Sequence, residues 1–131
     1  MTIAEVSKQY DITADTLRYY ERIGLIPRVT RTASGIRAYS AQECERVAFV
    51  KCMRTAGISI EALIEYFTLF EQGDTTITAR KELLEEERRK LRDKLEEIQN
   101  TLKRLDYKIG VYQEAEKTGK VVWTKQENDS Y

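Results

Sequence analysis

The sequence predicts a mainly α-helical chain, a winged helix-turn-helix domain followed by a long dimerisation helix. Three observations lead there. Two short, capped helices lie on either side of a tight break near the start of the chain. A basic stretch with a Ser-Gly turn comes next. The last third carries apolar residues every seven positions among charged ones.

Thr2 and Glu5 form a capping box ahead of a helix over about 3–9, with Ile3, Val6 and Tyr10 as its apolar markers. Gln9-Tyr10-Asp11-Ile12 breaks the pattern, and Thr13 N-caps a second helix that runs to about Ile23 and is stopped by Gly24. Two such helices joined by a tight turn make the helix-turn-helix unit, whose second helix enters the major groove of DNA. Within it, Leu17-Arg18-Tyr19-Tyr20-Glu21-Arg22-Ile23-Gly24-Leu25-Ile26 sets an arginine beside two tyrosines. An arginine can fork onto phosphate or a guanine edge, and tyrosine hydroxyls reach phosphate oxygens. Leu17 and Tyr20 follow one face of this helix, which leaves Thr16, Arg18, Tyr19 and Arg22 to the others. At this point two readings stand side by side: a DNA-recognition helix, or a small helical core with solvated arginines.

Pro27 is the only proline, and after it Val29 and Ile36 flank Ser34-Gly35, the pattern of a small β-hairpin. A hairpin in this position is a wing, and Arg37 and Tyr39, two residues apart, share a strand face. Tyr39 is open to two roles, a core edge or a phosphate contact. Ser40 and Glu43 open a third helix through about Ala56, stopped by Gly57, and Ser59 caps a fourth to about Glu71, closed by Gly73. These four helices and the wing form the first unit, about 1–72.

From Ile77 onward Leu84, Leu91, Ile98, Leu105 and Tyr112 recur every seven residues, with Leu95, Leu102 and Ile109 interleaved. This is a heptad seam wrapped in Glu, Lys and Arg, weak at its start, where Lys81 and Arg88 occupy the alternate positions. A helix over 77–113 would be about 55 Å long and calls for a partner helix. The dimerisation region is therefore placed at 73–117 and a loosely ordered, flexible tail at 118–131.

Composition bounds the functions. Lys plus Arg and Asp plus Glu number 22 each, so net charge carries no nucleic-acid signal, but its distribution does. No acid falls between Glu21 and Glu43, whereas Arg22, Arg28, Arg31 and Arg37 do, a local arm suited to phosphate contacts. With no histidine, no glycine-rich phosphate loop and no evident carboxylate pair, an enzyme is not expected, nor any cofactor or metal. Cys44 and Cys52, eight positions apart on one helix, lie about 12 Å apart along its axis, too far to be bridged. No signal peptide or membrane-length apolar run is found, so the expected address is the cytoplasm, with both thiols reduced.

Taken together, Thr16-Leu17-Arg18-Tyr19-Tyr20-Glu21-Arg22-Ile23-Gly24-Leu25-Ile26, then Gly35-Ile36-Arg37-Ala38-Tyr39, then the capped helix from Ser40 resemble the MerR family of bacterial transcription regulators. The order of parts matches over nearly the whole chain. The resemblance implies a homodimer joined by an antiparallel coiled coil through Leu84, Leu91, Leu95, Ile98, Leu102, Leu105 and Ile109. Such a dimer binds a palindromic operator in double-stranded promoter DNA between elements spaced too far apart for RNA polymerase. It bends and untwists the DNA to bring them into register, so deformability is part of recognition. Carried over, Thr16, Arg18 and Tyr19 would sit at the groove or adjoining phosphates, with Thr13 and Arg22 among the DNA contacts. Tyr20 would support the helix from below, and Arg37 and Tyr39 would touch the backbone from the wing.

Ile77 to Tyr131 contains no cysteine and no histidine, which argues against the soft-metal-sensing members, and too little chain follows the coil for a drug-binding domain. What remains resembles the aldehyde- and thiol-stress branch, the AdhR/NmlR-like regulators, through Lys51-Cys52-Met53-Arg54-Thr55-Ala56-Gly57-Ile58-Ser59-Ile60-Glu61-Ala62-Leu63. That implies an activator whose Cys52 senses reactive aldehydes or other electrophiles. Position alone favours a structural Cys52, since Ala48, Phe49, Thr55 and Ala56 make its helical neighbourhood mostly apolar, and burial would slow its chemistry. Lys51 and Arg54 would offset this by folding over the thiol. Cys44 reads as a passenger. The alternatives are a different effector with Cys52 purely structural, an architectural DNA binder, and a non-DNA interaction module built on the coil.

Overall fold

The computed structural model describes residues 1–124, so the part of the tail expectation that falls on 125–131 lies outside the described residues. The elements are α1 (Ile3–Tyr10), α2 (Ala14–Arg22), α3 (Ala41–Thr55), α4 (Ile60–Glu71), a 3-10 turn (Asp74–Thr76) and α5 (Ile77–Thr118).

The start of each short helix is fixed by its cap. The Thr2 N–H donates to Glu5 Oε1 at 2.9 Å while the Glu5 N–H donates to Thr2 Oγ1 at 3.2 Å, and Ser40 and Glu43 do the same at 2.8 and 3.1 Å. Thr13 and Ser59 cap α2 and α4 through the N–H groups of Thr16 and Ala62. Asp11 takes the left-handed conformation (φ 53°) at the end of α1, which turns the chain sharply into α2.

One core cluster gathers Val6 of α1, Leu17 of α2, Val29 and Tyr39 from either side of the wing, and Val47 of α3. A second joins Leu25, Val50 of α3, and Leu63 and Phe67 of α4. Tyr20 packs against both, so the outer face of α2 is held from behind along its length. Arg46 ties the second cluster together. Its guanidinium carbon stands 3.7 Å from the centre of the Phe67 ring, its Nε donates to the Leu25 carbonyl at 3.2 Å, and Glu71 lies 3.5 Å away.

The wing is shorter than the sequence leads one to expect. The turn forms, with the Gly35 N–H donating to the Thr32 carbonyl at 2.9 Å and the Thr32 N–H to the Ile36 carbonyl at 2.8 Å. The ladder is then reduced to one antiparallel bridge, Arg31 opposite Arg37. The reason lies in what the arms do next. Val29 dives into the core, and Tyr39 exchanges backbone bonds with Met1 (2.7 and 2.9 Å), leaving little length to pair.

The chain separates into two compact units, the first Met1–Arg88 and the second from Arg89 onward, and the division falls within α5. In the first unit, the start of α5 is fixed by a buried Thr76, whose hydroxyl donates to the Leu69 carbonyl (2.6 Å) and accepts from Arg80 Nε (3.1 Å). In the second, Gly119 (φ 76°) ends the helix after Thr118. Residues 119–124 have a defined course, which the polar composition of the tail does not suggest. Trp123 meets Tyr107 and, edge-on, Tyr112, with ring centroids 6.3 and 5.6 Å apart, and the Tyr107 hydroxyl donates to the Thr124 carbonyl.

Candidate nucleic-acid interface

The outer face of α2 begins at its cap. Thr13 donates its hydroxyl hydrogen to Thr16 Oγ1 at 2.8 Å and accepts from the Thr16 N–H at 3.1 Å. Both hydroxyls are thereby positioned, and Thr16 keeps its own O–H for an outside acceptor. One turn on, Arg18 Nη1 pairs with Asp15 Oδ1 at 3.0 Å across an exposed surface. Tyr19 is 40% exposed, and the Arg22 guanidinium carbon stands 5.2 Å from its ring centre. The four side chains and the arginine stack make a polar, aromatic and basic face on one short helix.

The wing reaches this face through a carboxylate. Glu21, only 10% exposed, receives Arg37 Nε at 2.8 Å on one oxygen and Arg31 Nη2 at 3.5 Å on the other. Arg31 also donates to the Gly35 carbonyl at 3.1 Å, so the wing tip is tied to the helix. Arg18, Glu21, Arg22, Arg28 and Arg37 line a common open cavity of about 320 Å³. Sequence reasoning assigned no role to Glu21, and placed Arg28 only within the basic arm suited to phosphate contacts. The available signal for Glu21 was its place as the last acid before the acid-free basic stretch.

Tyr39 is corrected. Grouped with the DNA contacts by the resemblance, it is 3% exposed, packs in the first core cluster, and its hydroxyl finds no hydrogen-bond partner. Burial raises its pKa, against a smaller opposing pull from Arg37. What removes it from the surface is packing, since its ring lies in the cluster of Val6, Leu17, Val29 and Val47.

Cys52 is exposed, contrary to the buried site its apolar helical neighbours favour, whereas Cys44 is buried with its thiol 3.8 Å from Met1 Sδ. Lys51 and Arg54 do not fold over Cys52. Lys51 Nζ donates to the Asp11 carbonyl at 2.9 Å and Arg54 Nη1 to the Ile58 carbonyl at 2.7 Å.

On α5, Leu84, Leu91, Leu95, Ile98, Leu102, Leu105, Ile109 and Tyr112 are all exposed, from 38% at Leu91 to 54% at Leu95. Among the described residues no group of His, Cys, Asp and Glu is arranged to hold a metal ion, and no helix is long and apolar enough to cross a membrane.

Comparison with known proteins matches residues 1–69 to the MerR HTH family regulatory protein model and residues 44–107 to the MerR DNA-binding model. The chain is 59% identical over 91 residues to the HTH-type transcriptional regulator AdhR of Bacillus subtilis, a match covering 70% of this chain and 65% of that protein. Two solved structures share the fold at higher coverage. A MerR family regulator from Listeria monocytogenes has a TM-score of 0.83 and 46% identity, covering 86% of both chains. HiNmlR, a MerR family regulator lacking the sensor domain and bound to promoter DNA, has a TM-score of 0.81 and 29% identity, covering 92% of this chain and 95% of its own.

Proposed function

Since the chain belongs to the MerR family of helix-turn-helix DNA-binding transcriptional regulators, and is no enzyme, we propose that it works as a homodimer on a palindromic promoter operator and distorts the DNA to activate transcription by RNA polymerase. The observation that carries this reading is the exposed seam of α5. Eight large apolar side chains on one helix, Leu84 to Tyr112, face water in the single chain. Taking a leucine or isoleucine from full exposure to full burial is worth about 1.5–3 kcal/mol, and covering these half-exposed positions adds a part of that at each. A second copy of the helix, antiparallel to the first, supplies the matching surface. Thr13, Thr16, Arg18, Tyr19, Arg22 and Arg37 then meet DNA from each protomer.

The effector reading rests on Cys52. It stands exposed on α3, and the resemblance to the aldehyde- and thiol-stress branch implies that this is the branch's cysteine position. Its thiolate adds to the carbonyl carbon of a reactive aldehyde. The sulfur–carbon bond forms, the carbonyl π pair moves to oxygen, and that oxygen takes a proton to give a hemithioacetal. Run-off transcription from the promoter region upstream of its coding sequence tests this with wild type and Cys52→Ser, each with and without formaldehyde. Stimulation of the wild type alone supports the sensor. An equal response from both proteins overturns it and leaves the DNA reading in place.

A further inference from the structure

The cavity beside α2 has a charge pattern that contact with a base edge does not require. Four arginines, Arg18, Arg22, Arg28 and Arg37, line it together with one acid, Glu21. That carboxylate is already committed to the wing, to Arg37 at 2.8 Å and Arg31 at 3.5 Å. Arg18 is held by Asp15, and Arg22 rests over Tyr19. Arg28 is exposed and has no ion pair or hydrogen bond to any described residue. The arrangement is one of excess positive charge around a small open space, contributed by the recognition helix, the loop after it and the wing.

A base edge accepts one arginine fork, whereas a phosphate offers unesterified oxygens to several donors at once. We propose that this cavity seats a single backbone phosphate of duplex DNA, that Arg28 is a contact to it, and that Glu21 is the positioning residue that aims the wing guanidinium into it. The inference rests on the DNA-binding reading and adds to it a named seat and a contact. Arg28 supplies the free charge. Glu21 lowers the local charge enough to hold Arg37 in one orientation and keeps the seat from binding every polyanion equally.

The test uses the full chain and two duplexes, the promoter region upstream of its coding sequence and a scrambled duplex of equal composition. Binding is measured across a KCl series. Arg28→Ala is expected to weaken both complexes and to flatten the slope of log K against log salt by about 0.9 per protomer, the loss of one phosphate contact. Arg28→Lys, which keeps the charge, recovers the slope. Replacing phosphates one at a time with neutral methylphosphonate should reveal, in each half-site, a position that weakens wild type and does not further weaken Arg28→Ala. Glu21→Gln is expected to bind scrambled DNA more tightly while its preference for the promoter duplex falls. An unchanged slope in Arg28→Ala, or no phosphate coupled to Arg28, overturns the seat and leaves the DNA reading standing. An unchanged preference in Glu21→Gln removes the positioning role. Wild type that binds neither duplex in a salt-dependent way overturns the reading beneath both.

Discussion

Arg18 holds Asp15 at 3.0 Å on an open surface, and an exposed pair of this kind is worth about 0–1 kcal/mol. In the proposed complex its release to DNA would cost little, and a bidentate base contact would gain about 1–3 kcal/mol of discrimination. Arg18→Ala is accordingly expected to lose roughly tenfold to a hundredfold in operator affinity with an unchanged oligomeric state, as read by anisotropy and sedimentation. The two cysteines should separate by burial. Exposed Cys52 is expected to take a maleimide in the native protein while Cys44, buried, stays protected until unfolding, as read by peptide mass spectrometry. Which side chains of α2 face outward was legible because a cap, an apolar stripe and a stop fix its buried face. Tyr39 was not, since a two-residue spacing from Arg37 does not tell whether side chains from other elements cover the ring. The burial that position alone favours for Cys52 is not met for a related reason. Apolar neighbours on one helix say nothing of whether another element covers them.

At the scale of elements, Glu43 joins the cap of α3 to the wing. It accepts from the Ser40 N–H at 2.8 Å and the Thr30 N–H at 3.0 Å. Partial burial pushes its carboxyl up, but the bonds from Ser40 and Thr30 together hold it below the ordinary 4.5. The sign follows from linkage. A depressed folded-state pKa gives stability that is complete above the unfolded value and is lost as pH falls through the folded one. Thermal melts should show Glu43→Gln less stable than wild type at neutral pH, with the gap closing as the pH falls below about 4.5. On α5 the seven-residue spacing was legible as a seam because a lone helix gains nothing from such a row. The proposed pairing predicts that Leu95→Gln with Leu102→Gln gives monomers that bind the promoter duplex poorly, by sedimentation equilibrium and footprinting. A stable dimer would move the interface elsewhere. The wing was legible as a turn at Gly35, but its single bridge was not, because Met1 competes for the backbone of Tyr39 and sequence shows no sign of a pairing so remote.

For the whole molecule, the order of parts was legible from changes in period, with short capped stretches giving way to heptads. The course of 119–124 was not, since it depends on two tyrosines of α5 meeting a tryptophan beyond its end. The exposed seam also bears on how the protein is handled and counted. A fold completed by a second copy has no fixed melting temperature, because its stability follows the chemical potential of its own monomer. For the proposed homodimer, dilution would then act as a mild denaturant. The transition temperature should climb with protein concentration in calorimetry, and a concentration-independent melt would speak against an obligate pair. If the proposed homodimer is the form that binds DNA, the same mass action would make operator occupancy rise more steeply than copy number, so a modest change in synthesis rate would become a sharper change in output.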